Sequence, residues 1–146
     1  MKIYTIGFAQ KTAKDFFTVL NKNKIECVID VRLNNISQLA GFTKSKDLQY
    51  FLKTIINADY IHNINYAPTK EILDNYKKGK IDWKEYEILY RKLITERQIE
   101  KLFTKDSKKY DNICLLCSES TAVNCHRRLL AEYLKIQLSE IEVIHL

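Results

Sequence analysis

Glycine and proline are nearly absent from this chain, at three and one in 146 residues. A domain so poor in them has few tight turns of the kind those residues build. Gly7 is followed by Phe-Ala-Gln-Lys-Thr, which contains neither GxGxxG nor GxxxxGK[ST]. A Rossmann or P-loop phosphate cradle is therefore unsupported, and nucleoside triphosphate hydrolysis is disfavoured. No apolar run approaches the roughly eighteen residues that would cross a bilayer. The opening Met1-Lys-Ile-Tyr-Thr-Ile-Gly7 reads as a strand rather than a signal peptide. Cysteine is also sparse, with Cys27, Cys114, Cys117 and Cys125 alone, whereas secreted disulfide scaffolds are shorter and denser in it. Free thiols in a reducing compartment, and hence a soluble cytoplasmic protein, are the expectation. Internal repeats, low-complexity tracts and Gly- or Ser-rich linkers are lacking too, which leaves one domain over residues 1–146.

Basic residues outnumber acidic ones, 24 to 18, for a formal charge of +6 and a pI near 9.1. The surplus points weakly to an anionic small molecule or nucleic acid as partner and offers nothing towards a membrane. Because the lysines are spread along the chain, a solvated lysine-rich surface explains them as readily as a nucleic-acid patch.

Five apolar strand segments recur with helical segments between them: Lys2 to Ile6, Glu26 to Val31, Tyr60 to Ile64, Asn112 to Cys117, and Ile141 to His145. That alternation predicts a single three-layer α/β domain, a mostly parallel sheet of about five strands with helices on both faces. Thr12 to Asp15 fits a capping box, and Phe16, Phe17 and Leu20 share one helical face. A second helix is predicted from about Ser45, a short one from Pro68 to near Lys78, and a longer one capped by Asp82 with a break near Glu96-Arg97-Gln98. Trp83, Tyr86 and Tyr90 have helical spacing and read as core.

Ligands of such sheets bind beyond the carboxyl ends of the strands, so the polar residues there are the ones to inspect. The richest stretch is Cys117-Ser-Glu-Ser-Thr-Ala-Val-Asn-Cys125-His126-Arg127-Arg128, between an apolar strand and a helix for which Asn124 is the natural N-cap and Cys125 the first residue inside. His126, Arg127 and Arg128 fall in that helix's first turn, where the macrodipole disfavours cations unless an anion joins them. Cys117 and Cys125 are candidate nucleophiles, since an imidazole, guanidinium or helix N-terminus lowers a thiol pKa; Glu119, Asp30 or His126 would move a proton. Asp30 and Arg32 fall on one side of a regular strand, either as a structural pair or with Arg32 as a fork for phosphate or carboxylate. Gly7 permits close backbone approach or substrate contact.

Zinc is a further use for Cys117 and Cys125, with His126 and Glu119 as added donors. The spacing argues against it, because Cys114 and Cys117 form a CxxC inside a strand where side chains alternate between faces. No metal or cofactor is therefore expected. His62 and His145 read as structural.

Thr5-Ile6-Gly7, Asp30-Val31-Arg32 with Ser37, Tyr60 and His62, Leu116-Cys117-Ser118-Glu119, Cys125-His126-Arg127 and the closing Val143-Ile144-His145 together resemble the domain of unknown function 488 family. The CxE and CHR pair in that order carries most of the resemblance. After Gly7 the family commonly has His-Ser where this chain has Phe8-Ala9, and the proline between DVR and the next serine is missing. The resemblance implies a compact α/β fold with a site, and no assigned reaction. The residues themselves suggest an enzyme acting on a phosphorylated, nucleotide or nucleic-acid substrate, with Cys117, Glu119, Cys125 and His126 catalytic and Gly7, Asp30, Arg32, Arg127 and Arg128 binding. A non-catalytic nucleic-acid or protein binding module and a thiol redox sensor are the alternatives.

Overall fold

A computed structural model describes residues 1–36 and 40–146; Ser37, one carrier of the family resemblance, lies outside the described residues. The strands β1 (Lys2–Gly7), β2 (Cys27–Asp30), β3 (Asp59–His62), β4 (Asn112–Cys117) and β5 (Glu142–His145) form one sheet in the order β3-β2-β4-β1-β5. Every pairing is parallel. The helices are α1 (Ala13–Lys22), α2 (Ser45–Ile56), α3 (Lys70–Lys77), α4 (Trp83–Glu96), α5 (Ile99–Ser107) and α6 (His126–Gln137). The fold is thus a single α/β domain.

Crossover handedness sorts the helices into two layers. From β1 through β2 to β3 the chain steps one way across the sheet, then reverses to reach β4 and β5. Right-handed crossovers moving in opposite directions must lie on opposite faces. Accordingly Phe16, Phe17, Leu20, Leu48 and Leu52 of α1 and α2 pack on Tyr4, Ile6, Val28, Cys114 and Leu116. Tyr86, Tyr90, Ile94, Phe103, Leu129 and Leu130 cover the other face, on Ile3, Ile29, Ile113, Leu115 and Cys117. Alternation along β4 therefore sends Cys114 and Cys117 to opposite layers.

Local signals set the helix ends. Thr12 Oγ1 accepts from the Asp15 amide at 3.1 Å, and Asp82 Oδ1 accepts from Glu85 N at 2.8 Å. The predicted break falls at Gln98, whose φ of 51° puts it in the left-handed region between α4 and α5. Two starts differ from expectation. Thr69 Oγ1 accepts from Ile72 N, so α3 begins after Thr69 rather than at Pro68. Cys125, not Asn124, is the N-cap of α6, with extended dihedrals (φ −139°, ψ 136°) and no side-chain cap bond. Cys125 therefore lies just outside the helix and His126 is its first residue. No helix among the described residues is long and apolar enough to cross a membrane.

Candidate functional site

Parallel registration brings three strand ends to one edge: Gly7 pairs with Cys117 and Asp30 with Leu116. Two polar clusters grow from that edge. The first is an ion pair in the interior. Asp30 is fully buried and Arg32 is 4% exposed. Arg32 donates from Nε to Oδ1 at 2.8 Å and from Nη2 to Oδ2 at 2.7 Å, the bidentate geometry that suits guanidinium and carboxylate. Nη2 also donates to the Thr43 carbonyl, and the Tyr60 hydroxyl donates to Asp30 Oδ2 at 2.7 Å. Phe8 lies with its ring 5.2 Å from the Arg32 guanidinium, at the position where the resemblance expects histidine. His62 Nε2 meets the Arg32 carbonyl at 2.9 Å, and His145 Nδ1 meets Thr5 Oγ1 at 2.7 Å. Both histidines tie neighbouring segments together.

The second cluster is Cys117, at the end of β4, with Cys125 and His126 at the start of α6. All three are buried, and their donor atoms lie within 4.8 Å of one another. His126 Nε2 is 2.7 Å from the Val31 carbonyl. A carbonyl only accepts, so in the neutral ring the proton sits on Nε2 and Nδ1 keeps its lone pair. Nδ1 is 3.8 Å from Cys117 Sγ and 3.4 Å from the Tyr86 hydroxyl. Cys117 is held below the ordinary thiol range by a hydrogen bond from Cys125, aided by the Ser118 amide and the Arg127 charge against the pull of burial. Donating that bond, together with burial, pushes Cys125 up. Burial, the largest cause, raises Cys114 and brings Cys27 to about 12, so Cys117 is the one thiol of the four that is lowered.

Above this cluster opens a cavity of about 240 Å³. Arg32, Leu33 and Asn34 form one side and Cys117, Ser118, Glu119, Asn124, Cys125 and His126 the floor and rim. Pro68, Leu73, Tyr76, Lys77, Trp83 and Tyr86 close it from α3 and α4. Trp83 stacks on Tyr86 with centroids 4.9 Å apart and 20° between planes. Of the three aromatics predicted as core, Tyr90 is fully buried there, whereas Trp83 and Tyr86 also line the cavity. A larger open groove of about 450 Å³ between α1 and α2 is lined by Phe17, Phe42, Phe51 and Ile55, with Lys14 its sole charge.

The remaining sequence candidates take other places. Arg127 is fully buried; its Nη1 donates to the Glu119 carbonyl at 2.8 Å, and Nε and Nη2 have no partner. Gly7 is where these chains touch: a Cβ there would stand 1.5 Å from the Glu119 carbonyl oxygen and 3.2 Å from Arg127 Nη1. Only glycine allows β1 and the loop after β4 to approach this closely. Arg128 turns outward, bonded to Glu132 Oε1 at 2.8 Å and the Val123 carbonyl at 3.1 Å. Neither Arg127 nor Arg128 lines the cavity. Sequence spacing assigns Trp83 to the core and does not single out Tyr76 or Lys77 as site residues, because α3 and α4 join the site only through the tertiary fold. Lys77 is exposed, whereas Tyr76 and Trp83 are half-buried against the core and carry the helical spacing of core residues.

The family model described as domain of unknown function DUF488 matches residues 12–134. The chain belongs to this DUF488 family. The matched span holds β2, the whole 117–128 stretch and the aromatic wall of the cavity, while Thr5 to Gly7 and the closing strand lie outside it. No curated protein and no solved structure matches the chain.

Proposed function

We propose that this DUF488 protein is an enzyme acting on an anionic substrate, phosphorylated, nucleotide or nucleic-acid in class, held in the cavity over Cys117, Cys125 and His126. The observation that carries the reading is the coincidence of two thiols and an imidazole with an enclosed wall of Trp83, Tyr86 and Tyr76. Tryptophan and tyrosine faces suit a flat ring, since stacking serves every base. The anion reading draws on Lys77 in the wall, on the side-chain-uncapped N-terminus of α6 and on the charge of +6. It draws less on the three arginines named from sequence, because Arg32 is neutralised by Asp30, Arg127 is enclosed and Arg128 is paired. Glu119, exposed at the rim, is the proton carrier. Free thiols at the reacting centre suit the reducing cytoplasm.

The test is a thermal-shift screen of nucleotides, short oligonucleotides and sugar phosphates at low salt, repeated with Trp83→Leu and Lys77→Ala. Ligand binding to the native state raises the melting temperature. Stabilisation by a ring-bearing anion, reduced in both variants, is expected; stabilisation that both variants retain in full would overturn the assignment of the cavity. A thiol switch is a second reading, favoured by the closeness of Cys117 and Cys125. Mass spectrometry after mild peroxide treatment tests it: both thiols free would dismiss it.

A further inference from the structure

Cys117, Cys125 and His126 offer the donor set of a metal centre. We propose that these three side chains bind one zinc ion and leave its fourth position open to the cavity. The objection raised by spacing concerned Cys114 and Cys117, and those thiols do lie on opposite faces of the sheet. The tertiary structure replaces Cys114 with His126 and brings Cys125 back beside Cys117 at the far end of the 118–124 loop. Two thiols and an imidazole are the soft and borderline donors zinc prefers, and three protein ligands with one open position mark catalytic rather than structural zinc.

The distances suit the ion. With zinc–sulfur near 2.3 Å, zinc–nitrogen near 2.0–2.1 Å and tetrahedral angles, sulfur and nitrogen stand about 3.6 Å apart. Cys117 Sγ stands 3.8 Å from His126 Nδ1 and 3.9 Å from Nε2, which the Val31 carbonyl occupies, and no two of the three donors exceed 4.8 Å. The second shell is also in place. His126 donates Nε2–H to the Val31 carbonyl at 2.7 Å, the bond that orients a ligating histidine and leaves its other nitrogen for the metal. Besides that bond, the His126 ring has only long polar contacts, 3.4 Å to the Tyr86 hydroxyl and 3.8 to 3.9 Å to Cys117 Sγ, in contrast with the short bonds around Arg32. Cys117 ends a strand and His126 begins a 12-residue helix, so two ligands stand on regular elements that hold a site more rigidly than loops do.

Zinc would polarise a water or substrate oxygen at the cavity floor. Glu119 is not one of the three clustered donors but lines the same cavity, so it is the carboxylate to accept that water's proton. This deepens the proposed function and rests on it for the use of the metal. Cys117 and Cys125 then serve as ligands, and the attacking oxygen comes from water.

The experiment strips the full-length chain with a chelator, confirms its fold by circular dichroism, and titrates zinc chloride or cobalt chloride alone. One zinc per chain by elemental analysis is expected. The cobalt form should show the intense visible bands of a tetrahedral site and a thiolate-to-cobalt charge-transfer band. Cys117→Ser and Cys125→Ser should each weaken the charge-transfer band and His126→Gln the tetrahedral bands, while Cys114→Ser leaves both intact. The wild-type titration needs no variant to fold. A folded wild type that takes up no stoichiometric zinc, or cobalt spectra without a thiolate band, would overturn the proposal. The screen of ring-bearing anions, run on zinc-free and zinc-loaded protein, separates the two readings. Anion binding in the cavity without zinc uptake sinks the metal alone, and zinc uptake with no anion response sinks the substrate assignment alone.

Discussion

The two buried arginines of this protein sit near the same sheet edge and are treated in opposite ways. Arg32 has a carboxylate in bidentate contact, a carbonyl and an aromatic face. Arg127, with no exposure at all, has a single carbonyl acceptor and two nitrogens without partners. The difference separates architecture from chemistry. A cluster whose every donor is answered holds the backbone in place and has nothing left for a ligand. One with donors unanswered leaves a charge unspent, and that charge reaches Cys117, as well as Lys11 and His145, both lowered chiefly by burial. Groups left short of partners in a native interior call for such an explanation.

The same substitution at both arginines puts this contrast to its strongest test. Arg32→Met leaves Asp30 buried without its cation and is expected to cost about 3–5 kcal/mol, the usual penalty for breaking a buried pair from one side. Arg127→Met removes one hydrogen bond together with an uncompensated charge, so its net effect is expected to stay within about 1 kcal/mol. Urea unfolding of both variants measures the gap; equal losses would erase the distinction.

Gly7→Ala asks whether the close approach that seats Arg127 is rigid. Because the added Cβ meets backbone rather than a flexible side chain, a loss of about 3 kcal/mol is expected, the upper end for overpacking. A melting curve unchanged from wild type would show the 118–120 segment to be compliant.

Cys114→Ser and Cys117→Ser sharpen the comparison between the two faces of β4. Cys114 is enclosed among apolar side chains, and a hydroxyl there is expected to cost about 1–3 kcal/mol without changing ligand binding in the cavity. Cys117→Ser, beside His126 Nδ1, is expected to lose less stability and to abolish activity. Denaturant midpoints paired with ligand-binding assays report both halves of the exchange.

The smallest expected effect lies at the opposite edge of the sheet. Hydrogen bonds from Tyr110 and Lys109, with Lys53 assisting, hold Asp59 at about 2, below its ordinary 3.8. A depressed carboxylate adds stability that is present above the ordinary value and lost as pH falls from about 4 towards 2. Asp59 is a third exposed, so solvent screening keeps its worth under about 1 kcal/mol. Asp59→Asn should flatten the acid limb of the stability profile slightly and leave pH 7 binding alone; a variant with the wild-type acid limb would remove Asp59 from the account.

Elements were legible where their signals are local. Thr12 and Asp82 cap the helices as their spacing implies, and the change of apolar phase near Arg97 marks the bend at Gln98. Asn124 was a reasonable cap by residue type, yet Cys125 takes the position and Asn124 lines the cavity. Composition could not rank these neighbours because the choice turns on the path of the 118–124 loop beside the cavity. Likewise Arg32, Arg127 and Arg128 look equivalent as basic residues near strand or helix ends, and only their surroundings tell a paired, an enclosed and an outward-facing cation apart.

The order of apolar and polar residues determined by itself that this chain makes five strands with helices between them, because side-chain periodicity and capping are properties of a few neighbouring residues. It also determined that Cys114 and Cys117 face opposite ways. Tertiary structure alone decided that Cys117 should meet Cys125 and His126 under a wall of aromatics. That meeting depends on β4 inserting between β1 and β2, on the 118–124 loop turning back across the sheet edge, and on α3 and α4 closing from above. Contacts between residues distant along the chain are set by packing the two layers against the sheet, a global condition that no short stretch of sequence encodes.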